Sequence, residues 1–141
     1  MATLTVTIKE EVVLNGNDHG AENTIDITAV TNMFERVIDC TVAEVSLMSF
    51  GSAVTGDTFV DDTVKYLRIT NLDDTNFVTL RVLGPSKEYF VVIEPNNSYV
   101  LFNDDMDANA TGSQAVSISF IDEIKASADT ATCQLSIFAA A

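Results

Sequence analysis

The sequence contains no tryptophan, one histidine and two cysteines, which leaves little material for enzyme chemistry. Nucleophilic catalysis by serine or cysteine needs a neighbouring base, and His19 is the only histidine in the chain. It lies in a segment rich in Gly, Asn and Asp, which is typical of a solvated loop. The G-x-S-x-G, Gly-rich phosphate-binding and H-E-x-x-H motifs are also absent. The sequence therefore predicts a protein that is not an enzyme.

The two cysteines lie far apart in the sequence, so no zinc site built from closely spaced thiols is expected. Cys40 follows Ile38 and Asp39, and Cys133 precedes Gln134 and Leu135. In such apolar strand segments a free cysteine usually serves as a small buried hydrophobic residue. The pattern favours two reduced core residues over a disulfide between them.

Basic residues are scarce, since seven Lys and Arg stand against 21 Asp and Glu and give a formal net charge of −14. A field of this sign repels phosphate backbones and anionic membrane surfaces, so we expect neither nucleic acid nor a membrane as partner. No apolar stretch reaches transmembrane length. The first residues alternate between polar and apolar, unlike a signal peptide. Basic protein partners and divalent cations remain compatible with the charge.

One acidic segment has partial features of a calcium site. Asp105, Asp107 and Asn109 place oxygen ligands at alternate positions, as the opening of a calcium-binding loop does. Ala110 stands where such a loop requires Gly, and no Glu closes the twelve-residue frame. The sequence therefore favours a plain acidic loop over calcium binding, with no other cofactor indicated. A weaker second candidate for calcium comprises Asp57, Asp61 and Asp62.

Alternation of polar and apolar residues dominates the rest of the chain and predicts β-strands. The clearest examples are residues 3–8, 64–70, 77–83, 115–120 and 131–137. About eight to ten such strands without an amphipathic helix predict a single all-β domain over residues 1–141, an antiparallel β-sandwich or jelly roll. Residues 1–10 are predicted to be an N-terminal strand or arm that can exchange between subunits. For residues 29–36 the pattern leaves a helical turn and a bulged strand open.

Two local features bear on partner binding. Residues 64–70 and 77–83 flank a short polar segment, which predicts an antiparallel hairpin between them. Alternation would place a row of polar side chains, a polar ladder, on the outer face of this hairpin and a row of threonines on one face of the first strand. The Gly- and Asn-rich residues 15–20 are predicted to form a loop. Ordinary cross-strand pairing explains both rows, but Arg and Tyr are also enriched in protein interfaces. The candidate partner-binding residues are Thr3, Thr5, Thr7, Tyr66, Arg68 and Arg81, with Thr79 completing the ladder.

Several segments carry a resemblance to a known class of protein. They are the Thr-rich residues 1–8, the pair 66–72 and 75–80, and residues 128–133. With these segments the chain resembles the small virion structural proteins of tailed bacteriophages, especially the acidic β-sandwich decoration or cement proteins of marine phage capsids. The resemblance implies synthesis in the host cytoplasm and location on the capsid surface. It also implies a homotrimer that binds and stabilises the lattice of the major capsid protein.

Two other functions fit the same composition. A tail, adaptor or fibre component of a virus particle would be equally rich in β-structure. A carbohydrate- or cell-surface-binding sandwich is a third alternative, although the absence of tryptophan removes the usual sugar-stacking side chain.

Overall fold

The structure, a computed structural model, describes residues 1–51, 58–60, 63–102 and 121–141. Every helix or strand element in these residues is a β-strand, which confirms the prediction of an all-β fold. The chain divides into two compact units, Met1–Asn32 and Met33–Ala141. We call the first the N-terminal hairpin and the second the sandwich.

The N-terminal hairpin contains four strands that form one continuous ribbon. They are β1 (Ala2–Glu10), β2 (Val13–Leu14), β3 (Asn17–Asp18) and β4 (Ala21–Val30). β1 pairs antiparallel with β4, and β2 pairs antiparallel with β3 in the same register. The ribbon therefore turns at Asn15 and Gly16, and the prediction of a loop over residues 15–20 is wrong at Asn17 and Asp18, which form β3.

A bulge at the base of the ribbon resolves the ambiguity over residues 29–36. Ala2 pairs with Val30 and Leu4 with Ile27, so β4 carries one residue more than β1 between these pairs. Ala29 lies in this bulge with a φ of 59°, a left-handed conformation that bulges accommodate. The segment is thus a bulged strand followed by a new strand, not a helical turn.

In the described residues of the sandwich, nine strands form two sheets. They are β5 (Met33–Cys40), β6 (Val45–Gly51), β7 (Thr58–Val60), β8 (Tyr66–Asn71), β9 (Val78–Leu83), β10 (Glu88–Ile93), β11 (Ser98–Leu101), β12 (Glu123–Ala128) and β13 (Cys133–Ala140). The first sheet has the order β11-β8-β13-β5, and the second has the order β10-β9-β12-β6-β7. All neighbours are antiparallel except β6 and β7, which are parallel.

The strand order is that of a jelly roll. Strands consecutive in the chain occupy the same place in the two sheets: β5 with β6, β13 with β12, β8 with β9, and β11 with β10. Eight antiparallel strands in two sheets with this connectivity define the jelly-roll architecture. β7 extends the edge of the second sheet. The predicted fold class is therefore confirmed, with the jelly roll as the form adopted.

Alternation along the strands produces the core between the two sheets. Leu67 and Ile69 of β8 and Leu80 and Val82 of β9 are buried, while the residues between them are partly exposed. Burial of each such aliphatic side chain contributes about 1.5–3 kcal/mol. The other fully buried large side chains are Leu47, Met48, Ile121, Ile124, Leu135, Ile137 and Val78.

The predicted hairpin between residues 64–70 and 77–83 is wrong, although both strands form close to the predicted positions. β8 pairs with β11 and β13 in the first sheet, and β9 pairs with β10 and β12 in the second. Alternation fixes which face of a strand is buried but not which strand is its neighbour. The connection of six residues is long enough to cross the ~10 Å between packed sheets, so it joins the sheets instead of closing a hairpin.

Side-chain hydrogen bonds hold this connection between β8 and β9. Asn71, the one fully buried polar side chain among the described residues, donates through Nδ2 to the carbonyl oxygens of Asn76 at 2.8 Å and Ile93 at 3.3 Å. Its Oδ1 accepts from the amide of Asp73 at 3.1 Å. Asp73 Oδ1 in turn accepts from the amides of Thr75 and Asn76 at 2.8 and 2.6 Å. The connection between β8 and β9 is therefore held in place by the side chains of Asn71 and Asp73.

The hydrogen bonds to Asp73 make the connection sensitive to acid. Amide donation from Asn76 and then Thr75 stabilises the carboxylate and lowers the pKa of Asp73 below its ordinary 3.8. A lowered carboxyl pKa contributes stability that is present above the unfolded-state pKa and is lost as the pH falls through the folded-state pKa.

We therefore expect Asp73→Asn to be less stable than the wild type at about pH 7, with the difference shrinking at about pH 3. Urea unfolding followed by circular dichroism at both pH values measures this. Asp74→Asn is the matched control, because Asp74 accepts a bond only from the Thr75 hydroxyl among the described contacts. A difference for Asp73→Asn that does not change with pH would contradict the expectation.

Candidate interaction surface

The residues considered for catalysis and metal binding do not form a site in the described part of the chain. His19 lies in the N-terminal hairpin, exposed, and its amide donates to the Val12 carbonyl at 2.9 Å. Within the described residues, no three acids, histidines or cysteines lie together as a metal site would need. The calcium candidates Asp105, Asp107 and Asn109, the candidates Asp57, Asp61 and Asp62, and the predicted strand 115–120 lie outside the described residues.

The threonine face of β1 lies on the N-terminal hairpin, and its partners lie on β4. Thr5 Oγ1 donates to Asp26 Oδ1 at 2.7 Å, and the hydroxyls of Thr7 and Thr24 are 3.1 Å apart. Thr3 lies at the bulge, between the paired positions Ala2 and Leu4. Thr5 and Thr7 therefore take part in cross-strand pairing. β1, which was predicted to offer an edge to another subunit, is paired with β4 on one side.

The opposite face of the hairpin is apolar along its length. Leu4 lies opposite Ile27 and Val6 opposite Ile25, and all four side chains are half-buried. Ile8 continues this row with an exposed side chain. Cross-strand aliphatic pairs of this kind stabilise a ribbon by a few tenths to about 1 kcal/mol each.

The tip of the hairpin exposes three consecutive aliphatic side chains. Val12, Val13 and Leu14 are 51%, 73% and 60% exposed. We call these three residues the apolar tip. Isolated exposed aliphatic residues are ordinary in a soluble protein, whereas a contiguous exposed group is a candidate interaction site.

The backbone around the apolar tip is tightly determined. Asn15 and Gly16 have φ values of 54° and 79°, the two positive angles that a type I′ turn needs, and Asn-Gly is its preferred sequence. A Cβ atom added at Gly20 would collide with the Glu10 carbonyl oxygen, so the close approach of these two segments of the ribbon requires glycine there. The tip is thus presented by a preorganised turn.

Acidic residues flank the apolar tip on both strands. Glu10 and Glu11 precede it and Asp18 follows it. Lys9 forms an ion pair with Glu11 at 2.7 Å between exposed side chains, and it is the only basic residue among residues 1–32, which hold five acids. The tip therefore combines an apolar centre with a negative rim.

Arg81 belongs to a cluster of charges on the outer face of the second sheet. Its guanidinium contacts Glu88 at 2.6 Å and Glu44 at 3.2 Å, which raises the pKa of Arg81, with the bond to Glu88 the largest cause. Lys125 lies 3.4 Å from Glu123 and 3.8 Å from Glu44. This arrangement supports the interpretation of Arg81 as an intramolecular sheet contact.

Tyr66 and Arg68 lie on the outer face of the first sheet, so the single polar ladder predicted with Thr79 and Arg81 is wrong. The Tyr66 ring packs edge-on against Phe138, with centroids 5.9 Å apart. Arg68 lies opposite Phe138 in the strand register, and its Nε is buried without a hydrogen-bond acceptor in the described structure. Because β8 and β9 belong to different sheets, Arg68 and Arg81 lie on the outer faces of different sheets.

Comparisons with known protein families, curated proteins and solved structures find no match to this chain. The described residues also include no helix long and apolar enough to cross a membrane. The surface of the chain itself is therefore the basis on which a function is proposed.

The apolar tip is the feature that sequence analysis missed. Val12, Val13 and Leu14 directly precede Asn-Gly, the strongest short hairpin signal. Recognition of that pair as a two-residue turn would have placed the three aliphatic residues at the end of a ribbon. The Glu44–Arg81–Lys125 contacts carried no sequence signal, because they join separate strands and a loop.

Proposed function

We propose that this chain is a non-enzymatic structural protein of a virus particle, a decoration protein that binds the major capsid protein lattice as a homotrimer. The observation that supports it most is the apolar tip on a hairpin that is a compact unit of its own. The jelly-roll sandwich has a buried core of its own, and a structural role requires no catalytic site. Trimer formation is carried by the resemblance to phage decoration proteins and is measurable by sedimentation.

The energetics of the hairpin support a role in binding. A two-stranded ribbon is marginally stable in water by itself, and covering its exposed aliphatic residues would stabilise it. Full burial of a Val or Leu side chain contributes about 1.5–3 kcal/mol, whereas an exposed ion pair at a rim contributes about 0–1 kcal/mol. The apolar tip is therefore expected to supply most of the binding energy and the acids most of the selectivity.

The charge around the tip selects the class of partner. Glu10, Glu11 and Asp18 disfavour insertion into an anionic membrane and disfavour contact with the same acidic tip of a second copy. A protein surface with an apolar pocket and basic residues at its rim is complementary in both respects. The partner pocket on the capsid protein is proposed to have this character.

The fold is compatible with the proposal without deciding it. Jelly rolls occur in viral capsid proteins, lectins and cupins, and a fold of this kind hosts unrelated functions. The alternatives of a tail or fibre component and of a carbohydrate-binding module are separated from the decoration role by the location of the bound protein.

The proposal is tested by adding the purified chain to virus particles that lack it and measuring occupancy by electron microscopy and quantitative gel analysis. We expect Val13→Asp to weaken attachment at least tenfold, equivalent to about 1.4 kcal/mol. Val42→Asp is the matched control, because Val42 is also exposed, at 54%, but lies in the sandwich.

Two outcomes would contradict the proposal. If the intact chain never occupies the heads, the decoration function is wrong, and binding to tails would support the tail alternative. If Val13→Asp and Val42→Asp both bind like the wild type, the apolar tip is not the attachment site.

A further inference from the structure

The two cysteines, which lie 93 positions apart in the sequence, are direct neighbours in the first sheet. Cys40 ends β5 and Cys133 begins β13, and the two residues are paired in the antiparallel register. Both are free and fully buried. Because paired residues in adjacent strands project to the same face, the two thiols meet in the core between the sheets.

The spacing of paired strands lies at the edge of what a disulfide accepts. Directly opposed residues have Cα atoms roughly 4.5–5.5 Å apart and Cβ atoms roughly 4.5–5.5 Å apart. A disulfide accepts Cα separations of roughly 4.4–6.8 Å but needs Cβ separations of roughly 3.5–4.5 Å. The backbone is therefore within range, and the side chains must approach by on the order of 1 Å. The bond would form with strain.

The surroundings of the thiols leave them available to each other. Among the described contacts, Cys40 Sγ donates to the Thr41 carbonyl at 3.8 Å, and Cys133 Sγ donates to the Ala131 and Asn76 carbonyls at 3.5 and 3.9 Å. Sulfhydryl hydrogen bonds of this kind are weak. Burial, and then the neighbouring Cys133, raise the pKa of Cys40 to about 11. In the folded structure Cys40 is therefore a protonated thiol at neutral pH.

We propose that Cys40 and Cys133 form a reversible cross-strand disulfide when the protein passes from reducing to oxidising surroundings. A small-molecule disulfide such as oxidised glutathione is the oxidant. One cysteine attacks it as a thiolate and releases one glutathione, and the second cysteine displaces the other glutathione from the mixed disulfide. The two protein thiols lose two protons and two electrons, and one glutathione disulfide becomes two glutathione molecules.

The bond would act on an edge of the sandwich. Among the described strands, β5 lies at the edge of the first sheet and pairs with β13 alone, so a link at its end prevents it from separating from the sheet. The link also closes a chain segment of on the order of 90 residues, which restricts the unfolded state. Strain makes such a bond easier to reduce than an ordinary structural disulfide. This inference does not depend on the proposed function.

Burial sets the rate of the reaction. Neither thiol is accessible to solvent in the folded structure. The oxidant therefore reaches them only when the end of β5 separates locally from the sheet. Local opening at an edge strand requires less free energy than global unfolding. Oxidation is therefore expected to be slow but to proceed without denaturant.

The test is incubation of the full chain with oxidised glutathione in native buffer, followed by intact mass measurement and peptide mapping without reduction. We expect a monomer lighter by two hydrogen atoms, with the peptides of Cys40 and Cys133 joined, and a melting temperature raised by several degrees. Dithiothreitol should reverse both changes. Cys133→Ala, treated in the same way, should show neither.

Other products would overturn the inference. Free thiols after incubation for many multiples of the unfolding time, stable glutathione adducts, or disulfide-linked dimers each exclude an intramolecular bond. If Cys133→Ala does not fold, the wild-type chain still provides the test. Its melting temperature must rise when the two cysteine peptides become joined, and it must return to its original value when dithiothreitol separates them.

Discussion

Replacement of Asn71 by alanine is expected to lower the free energy of unfolding by about 3 kcal/mol and the melting temperature by on the order of 10 °C. The side chain is fully buried and serves four backbone groups: the carbonyls of Asn76, Ile93 and Glu94 and the amide of Asp73. Alanine leaves all four without this partner at a position that is itself fully buried. The cost of each buried unsatisfied group is about 1–3 kcal/mol.

Asn71→Asp should be more damaging still. The three carbonyl oxygens that now accept from Nδ2 would face a second acceptor, and a buried carboxylate without a cation is strongly unfavourable. Urea unfolding followed by circular dichroism measures both variants. Asn97→Ala is the control, because Asn97 is exposed and takes part in the described contacts only through its backbone: its carbonyl accepts from the Asn71 amide at 2.9 Å and its amide donates to the Glu94 carbonyl at 3.1 Å. An Asn71→Ala variant as stable as Asn97→Ala would show that the connection between β8 and β9 does not depend on this side chain.

The strands of the sandwich were predictable from sequence, but their partners were not. Period-two alternation along β8 and β9 identified both strands and their buried faces. The same alternation is satisfied whether the two strands pair in one sheet or face each other across two. What distinguishes the arrangements is the connection, held by Asn71 and Asp73 through bonds to Asn76, Ile93 and Thr75. Part of that network is non-local and invisible to a reading of neighbouring residues.

The candidate site was predicted in part. The sequence predicts the first strand as the element that meets a partner, and the structure confirms that it is a strand. The sequence favours the threonine face because it is polar and regular, yet Thr5 and Thr7 are paired with Asp26 and Thr24 on β4. The sequence pattern places the aliphatic residues of the tip at the end of a strand leading into a loop, because the pattern does not reveal the register that joins β1 to β4. A correct turn assignment at Asn15-Gly16 determines the whole ribbon.

Removal of residues 1–32 is expected to reduce attachment to the particle at least a hundredfold while changing the stability of the remaining chain by no more than about 1 kcal/mol. The described core cluster consists entirely of residues from Cys40 onward, with Phe34 and others packed against it. Every strand pair of the two sandwich sheets also lies within Met33–Ala141. The sandwich therefore carries its own core and its own backbone hydrogen bonds.

Removal of β1 alone would be a poorer experiment, although it is the truncation that the sequence first suggests. β4 pairs with β1 along nearly its whole length, so loss of β1 would expose the backbone donors and acceptors of a strand of ten residues. An exposed edge of that length promotes aggregation, and reduced attachment would then have two causes. The deletion of the whole N-terminal hairpin leaves no such edge from β4, and its unfolding curve shows directly whether the sandwich is intact. If residues 33–141 unfold like the full chain and still occupy every site on the particle, attachment does not use the hairpin, and the outer faces of the two sheets become the place to look.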